Sequence, residues 1–214
     1  MIDIMKQYNI QNNIIRLLHP QERYVWELSY WKYQWCAGIV LANVLSDLDG
    51  TNKTLLEIGP GLGLCTTIAG MQNFNVTVVD KMLDSLEYTT KNAIANGVLP
   101  PRCIHQTWAE FLKTNTIVFD TIIAGDTLYD INQIPILIEL FKTAIKPTGI
   151  IYMTDPFREP NLIYNRFIEQ LLENGFEYTI ELMKSKTPPE APNAYDNDEV
   201  RLLTITPNLT TLRP

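Results

Sequence analysis

The stretch LLEIGPGLGLCTTIAG (residues 55–70) decides the fold of this 214-residue chain. It begins as a short apolar run typical of a buried strand, passes through Gly59, Gly61 and Gly63, and ends with helical spacing. Open α/β sheets bind nucleotides at such a turn, because a ligand can approach the glycine backbone and the helix N-terminus offers free N–H groups. The stretch therefore predicts an α/β fold with a ligand site here, although a tight turn without a ligand would use the same glycines.

The spacing of the glycines distinguishes between nucleotide ligands. A dinucleotide site follows G-x-G-x-x-G, whereas here the third glycine comes one position early and Leu64 holds its place. A Gly-Lys-Ser/Thr phosphate loop is also missing. The carboxylate of Glu57, just before the loop, would repel a pyrophosphate but suit a cation. S-adenosyl-L-methionine (SAM) carries an ammonium and a sulfonium and no phosphate, so we predict a SAM site formed by Glu57, Pro60 and the three glycines.

Asp80 is the second acidic candidate, at the end of the predicted strand 75–79. It follows Gly61 by 19 residues, a spacing at which a carboxylate can accept both ribose hydroxyls. Both NAD and SAM contain such a ribose. Asp80 and the adjacent Lys81 therefore indicate an adenosine site but do not distinguish between the two cofactors. An Asp that caps the helix beginning near Met82 would give the same pattern.

Strands and helices alternate along the rest of the chain. The predicted strands are 54–58, 75–79, 102–106, 119–125, 149–154, 176–184 and 200–206, and the predicted helices are 62–71, 83–96, 134–145 and 162–173. The alternation indicates a parallel sheet with helices on both faces, and the last two strands, with no helix between them, indicate an antiparallel hairpin. We therefore predict a Rossmann-like seven-stranded α/β sheet, mostly parallel with a C-terminal antiparallel hairpin, which is typical of class I methyltransferases.

Residues 1–50 predict a helical cover that precedes a SAM-binding methyltransferase domain at residues 51–214. The apolar residues of the run 14–18 suggest an amphipathic helix that stops at Pro20, and residues 37–48 suggest a second helix.

Composition excludes several classes of protein. There are 17 Lys and Arg against 24 Asp and Glu, a net charge of −7, so we expect no nucleic-acid partner. We interpret the aromatic stretch 22–35 as packing rather than as a platform for bases. The opening MIDIMKQYNI has no apolar secretion signal, and the uncharged run 58–79 is too rich in glycine to cross a membrane. These features predict a cytoplasmic protein with no membrane partner.

The sequence has few residues that could form a metal site or a nucleophilic catalytic site. Three cysteines without a C-x-x-C pair and only two histidines predict neither a disulfide framework nor a metal site. Cys103 and His105 share one face of a predicted strand but have no visible orienting partner. We therefore expect this pair to pack in the core.

A second group of candidates follows the predicted strand 119–125 in GDTLYD. Asp126 and Tyr129 lie three residues apart just past the strand end, so both can face the cleft above the sheet. A carboxylate attracts an ammonium and a phenol can orient a nitrogen, which suits an amine that takes a methyl group by direct displacement. An Asp that caps the following turn beside a packed Tyr is the alternative. Methylases of exocyclic DNA-base amines carry Asn/Asp-Pro-Pro-aromatic at this position, and this chain does not.

Five motifs together resemble a known family. They are WCAGIVL (35–41), LLEIGPGLGL (55–64), Asp80, Thr107-Trp108 and GDTLY (125–129). The resemblance is to the methyltransferase-like protein-lysine methyltransferases, a seven-β-strand family that includes enzymes modifying chaperones, elongation factors and the β-subunit of electron-transfer flavoprotein. SYWKYQWCAG (29–38), with GDTLYD and TDPFREP (154–160), is most similar to the flavoprotein branch and its bacterial relatives. The resemblance spans residues 25–160.

The resemblance implies roles for single residues. Those it places against the cofactor are Trp35, Gly59, Gly61, Asp80, Trp108 and Gly125, and those on the acceptor side are Asp126 and Tyr129. A Trp at a strand end can cover an adenine face, although core packing is the alternative for both tryptophans. The chain departs from the pattern at Cys36, where the flavoprotein branch usually has proline, and at Pro60, where a smaller residue is commoner.

These observations predict a SAM-dependent N-methyltransferase that acts on a lysine of a protein. Two alternatives stay open: a methyltransferase of small, nicotinamide-like amines, and a non-catalytic SAM-binding partner that regulates another enzyme.

Overall fold

The computed structural model describes residues 3–21, 30–158, 160–186, 188, 191 and 198–208. The strands are β1 (Ile4–Ile10), β2 (Asn13–His19), β3 (Thr54–Ile58), β4 (Asn75–Asp80), β5 (Arg102–His105), β6 (Phe119–Gly125), β7 (Ile145–Pro156), β8 (Phe176–Lys184) and β9 (Glu199–Pro207). The helices are α1 (Cys36–Leu45), α2 (Leu64–Met71), α3 (Leu83–Ala95), α4 (Trp108–Thr114), α5 (Ile134–Ala144) and α6 (Leu162–Glu173). Part of the aromatic stretch, residues 22–29, lies outside the described residues.

Seven strands form one sheet in the order β5-β4-β3-β6-β7-β9-β8. The strands from β5 to β7 are parallel, and β9 runs antiparallel to both β7 and β8. The predicted fold class is therefore confirmed. Because β3 has β4 on one side and β6 on the other, the strand order reverses beside it, and open α/β sheets bind ligands above the carboxyl ends at such a point.

Helices cover both faces of the sheet because the buried strands alternate their apolar side chains. In β3, Leu56 and Ile58 join the cluster under α4, α5 and α6, which includes Phe141 and Phe167. Leu55 points the other way, into the cluster under α1, α2 and α3. Each fully buried side chain of this size contributes about 1.5–3 kcal/mol, so the two clusters hold the strand ends in fixed positions.

The N-terminal region differs from its prediction. Residues predicted as the first helix form β2, which pairs with β1 in an antiparallel hairpin. Ile15, Leu17 and His19 are buried while Ile14 and Arg16 are exposed, which is the two-residue period of a strand. The second predicted helix is confirmed as α1.

Two asparagines explain why this segment is a strand: Asn92 in α3 and Asn96, which directly follows that helix. The side chain of Asn96 accepts from the N–H of Arg16 (2.9 Å) and donates to its carbonyl (2.7 Å). The side chain of Asn92 does the same for the backbone of Leu18, at 2.6 and 3.2 Å. The edge of β2 thus finds hydrogen-bond partners in a helix more than 70 residues away, which the local pattern of apolar residues could not show.

Candidate active site

The carboxyl ends of three neighbouring strands bring the sequence-predicted site residues to one edge of the sheet. The glycine loop (residues 59–63) follows β3, Asp80 ends β4, and Gly125 ends β6. The loop is fixed at its start, because the Gly59 N–H donates to the carbonyl of Val79 on β4 at 3.1 Å.

Two glycines of the loop have different structural roles. Gly63 has φ +81°, and a Cβ there would lie 2.7 Å from Thr89 Cα, so only glycine lets α2 and α3 pack this closely. Gly59 also has positive φ (+68°), but a Cβ there would meet nothing closer than 3.8 Å. The two nearest atoms are the methyl carbon of Thr127 and a ring carbon of Trp108. These two side chains therefore bound the space in front of Gly59.

Glu57 lies beneath the loop rather than at its rim. Its side chain is buried on the face of β3 that carries α2, where it accepts a hydrogen bond from the Thr66 hydroxyl. Burial, with a smaller contribution from the charge of Asp80, raises the pKa of Glu57 to about 8 against the opposing effect of Thr66. A cation bound nearby would favour the ionised form of this carboxyl.

Asp80 is tied to both the loop and α3. One carboxylate oxygen accepts from the backbone N–H of Met82 (2.8 Å). The Ser85 hydroxyl lies 3.0 Å from the other carboxylate oxygen and 3.0 Å from the carbonyl of Gly61. The backbone contact of Asp80 is with Met82, which precedes α3, and the start of this helix has no side-chain cap of the kind considered from the sequence. Partial burial raises the pKa of Asp80. The neighbouring Lys81 is exposed, and its carbonyl accepts a hydrogen bond from the His105 ring at 3.0 Å.

The two predicted tryptophans lie in different surroundings. Trp108 opens α4 and is held there by the capping box of Thr107 and Glu110. Trp35 immediately precedes α1; its indole N–H donates to the carbonyl of Tyr30 (3.0 Å), and its ring lies against Tyr30 and Tyr33. The structure therefore brings Trp108 to the glycine loop, whereas the rings that lie against Trp35 include those of Tyr30 and Tyr33 in its own segment.

Asp126 and Tyr129 stand at the end of β6, as the sequence predicted. Asp126 has φ +56°, a left-handed conformation that Asp tolerates, and its N–H donates to the carbonyl of Thr154 (2.8 Å). Tyr129 is 54% exposed. Loss of water around its hydroxyl, together with the nearby charges of Asp80 and Asp130, raises the pKa of Tyr129. The phenol therefore lies within electrostatic reach of the strand end of β4.

Sequence reasoning missed an arginine that pairs with Asp126. The guanidinium of Arg158 binds one carboxylate oxygen of Asp126, one oxygen of Asp155 (2.8 Å) and the carbonyl of Leu128 (3.2 Å). The Asp126 side chain is only 11% exposed. Arg158 lies in TDPFREP, a segment singled out by its resemblance, so the sequence held a signal for it.

A second, buried arginine supports this pair. Arg201 of β9 donates to the other oxygen of Asp155 (2.9 Å), and its guanidinium lies over the rings of Phe157 and Tyr164 at 3.6 and 3.9 Å. Burial raises the pKa of Asp155 to about 7, although Arg201 opposes the shift. The four charged groups of Asp126, Arg158, Asp155 and Arg201 thus form a chain from the end of β6 to β9.

Cys103 and His105 do not pack in the core, contrary to the prediction. Both are exposed on β5, the edge strand, and line a groove of about 420 Å³ between β5 and α3. Among the strands that the structure describes, none lies beyond β5 to bury its outer side. In the described ranges, no three His, Cys, Asp or Glu side chains gather as a metal ion would require. Among the helices that the structure describes, none has the length and apolar composition that a membrane crossing requires.

The residues at this edge fit SAM. The space in front of Gly59 has an aromatic ring on one side, and Asp80 on the neighbouring strand can accept ribose hydroxyls. Glu57, whose pKa burial raises to about 8, would ionise more readily beside a bound cation. A seven-stranded sheet of this order with such a loop defines the class of SAM-dependent methyltransferases, and the cofactor of this chain is SAM. Residues 22–174 match the family described as lysine methyltransferase, and the chain belongs to that family.

Two similar relatives are methyltransferases by name, and a similar solved structure has the same fold. Protein-lysine methyltransferase METTL21E of Bos taurus is 28% identical over 152 residues, which cover 65% of this chain and 52% of the relative. The uncharacterized RNA methyltransferase MMOB5020 of Mycoplasma mobile is 28% identical over 146 residues, 68% of this chain and 38% of the relative. SMU.776, solved in complex with S-adenosylhomocysteine (SAH), superposes with a TM-score of 0.66 at 15% identity over 94% of this chain and 55% of that one. The chain thus spans about half the length, or less, of these curated relatives.

Proposed function

We propose that this enzyme methylates the side-chain amine of a lysine in a protein. The observation that carries the proposal is the position of Asp126 and Tyr129 at the end of β6, beside the strand end that carries the glycine loop. A carboxylate and a phenol at this point match an acceptor that arrives as an ammonium. Membership of the lysine methyltransferase family supports the same acceptor.

Arg158 determines which oxygen of the Asp126 carboxylate is left to bind that ammonium. One carboxylate oxygen is engaged by the guanidinium, which leaves the second oxygen to bind an acceptor. Asp155 and Arg201 hold Arg158 in turn, so the acceptor corner is fixed by side chains from β6, β7 and β9.

SAM supplies a methyl group on a positively charged sulfur when it is bound. The residues of this chain align the acceptor nitrogen: Asp126 attracts the ammonium and the Tyr129 hydroxyl orients it. An amine with a pKa near about 10.4 is protonated at neutral pH, so a proton must leave before the nitrogen can attack. Alignment of nitrogen, methyl and sulfur then provides much of the rate. We therefore expect transfer to rise with pH below that value.

The test is to incubate the purified protein with radiolabelled SAM and a lysate of the source organism. Label should appear in protein, survive nuclease treatment and be recovered as methyllysine after acid hydrolysis. Asp126→Ala should lower that labelling, and Asp80→Ala, which weakens the proposed ribose contact, serves as a control for cofactor loss. Label confined to RNA, or to small molecules that pass a dialysis membrane, would contradict the lysine proposal. Binding of SAM without any labelled product would support a regulatory partner instead.

A further inference from the structure

Two residues that border the glycine loop carry buried side-chain atoms without hydrogen-bond partners. In the part of the chain that the structure describes, the buried side-chain nitrogen and oxygen atoms that lack a partner are Nε1 of Trp31 and Oγ1 of Thr127. The Thr127 side chain is only 4% exposed. A polar group that has lost its water without gaining a partner costs stability, so such groups call for an explanation.

Both atoms belong to residues at the same loop. The methyl carbon of Thr127 lies 3.8 Å from the position that a Cβ would take on Gly59, and the carbonyl oxygen of Trp31 lies 3.6 Å from the corresponding position on Gly61. Thr127 comes from the end of β6, whereas Trp31 comes from the short 3₁₀ turn Tyr30–Lys32 before α1, where its ring packs on Tyr88. Two independent segments therefore lie against the loop, Thr127 at Gly59 and the Trp31 backbone at Gly61, and each of these residues carries an unpartnered side-chain atom.

The strand order shows how Thr127 lies relative to the proposed ribose acceptor. Asp80, the proposed ribose acceptor, ends β4, and Thr127 follows β6, with β3 and the glycine loop between them. Neighbouring strands lie about 4.8 Å apart, so a ligand with its ribose at Asp80 must extend across β3 to reach Thr127. The adenine and the amino-acid half of SAM both extend from the ribose, and the amino-acid half is the one that carries charged groups.

The chemistry of the two groups fits that half. An indole N–H can only donate, so Trp31 needs an acceptor, and the carboxylate of the amino-acid half is the strongest acceptor that SAM offers. A threonine hydroxyl can donate to that carboxylate or accept from the ammonium beside it. We propose that the Thr127 hydroxyl and the Trp31 indole N–H bind the amino-acid half of SAM. This assignment rests on the SAM site described above.

Calorimetry with two ligands tests the assignment. SAH contains both halves of the cofactor, and 5′-methylthioadenosine lacks the amino and carboxyl groups. Thr127→Val removes the hydroxyl and keeps the shape, and Trp31→Phe removes the N–H and keeps an aromatic ring over Tyr88. Each variant should bind SAH at least about tenfold more weakly, or about 1.4 kcal/mol, and bind methylthioadenosine as tightly as wild type does.

The melting temperature without ligand separates binding from folding. Thr127→Val removes an unpartnered group, so its melting temperature should not fall. Thr154→Val is the matched control, because its buried hydroxyl donates to the carbonyl of Ala37 at 2.9 Å. That variant should melt lower and keep its affinity for SAH.

Three results would overturn the proposal. Unchanged SAH affinity in both variants would show that neither group binds the cofactor. Equal losses for SAH and methylthioadenosine would place the groups at the adenosine half. A wild-type protein that binds neither ligand would refute the SAM site itself, which a failure of the variants alone would not do.

Discussion

Replacement of Glu57 by Gln should stabilise the protein, and the gain should grow as the pH rises. Burial raises the pKa of this carboxyl from its ordinary 4.5 to about 8. Between those values the unfolded chain has lost a proton that the folded protein keeps, so the free energy of unfolding of the wild type falls with rising pH. At about 1.4 kcal/mol per pH unit, the loss reaches about 5 kcal/mol by pH 8. A glutamine at this position stays neutral, so the variant does not have this pH-dependent loss of stability.

Urea unfolding at several pH values between about 5 and 8 would measure this difference. Near pH 5, Glu57→Gln and wild type should be close in stability, because both carry a neutral side chain at this position in the folded state. The advantage of the variant should then increase by about 1.4 kcal/mol per pH unit. Glu87→Gln, a matched change at an exposed side chain, should show a constant difference. A constant difference for Glu57→Gln as well would refute the reasoning, since it would mean that Glu57 is not held neutral by burial.

The cofactor extends this prediction to function. If the cation of SAM favours ionised Glu57, wild-type affinity for SAM should increase with pH across the same window more steeply than that of Glu57→Gln. The ammonium of the ligand titrates equally in both measurements, so the difference between them isolates Glu57. Equal slopes would show that the carboxyl is structural only.

Three further outcomes follow from the site. Asp80→Asn should weaken SAH binding by about 1–3 kcal/mol in calorimetry, because the ribose hydroxyls lose a charged acceptor. NAD should not bind the wild type, and tight NAD binding would contradict the proposed site. Asp126→Ala should lower methyl transfer at least about tenfold and leave SAH affinity nearly intact. Arg158→Lys, which keeps a cation beside Asp126, should lower methyl transfer less. If Asp126→Ala loses SAH affinity and methyl transfer in parallel, Asp126 contacts the cofactor instead. Gly63→Ala should lower the melting temperature more than Gly59→Ala does, because both positions have positive φ and only a Cβ at Gly63 would crowd Thr89. Gly59→Ala should mainly weaken SAH binding. Equal melting temperatures for the two variants would refute the packing role of Gly63.

Local patterns predicted most of the sheet. The β-branched run that ends at Asp80 and the strand that ends at Gly125 both lie where the sequence placed them. Helix α4 was not predicted, because its seven residues are too few for a clear helical period. The pair Cys103 and His105 was expected in the core, and periodicity could not reveal that β5 would be an edge strand.

The sequence by itself determined the order of strands and helices, the glycine loop and the acidic side chains at two strand ends, because each depends on residues that are close in the chain. Only the tertiary structure decided that the segment 13–19 is a strand, that Arg158 pairs with Asp126 32 residues earlier, and that Trp31 and Thr127 meet at one loop. Such contacts join segments whose separation in sequence carries no local signal. They form because burial of both faces of the sheet fixes where each segment ends, and that is a property of the whole packed chain.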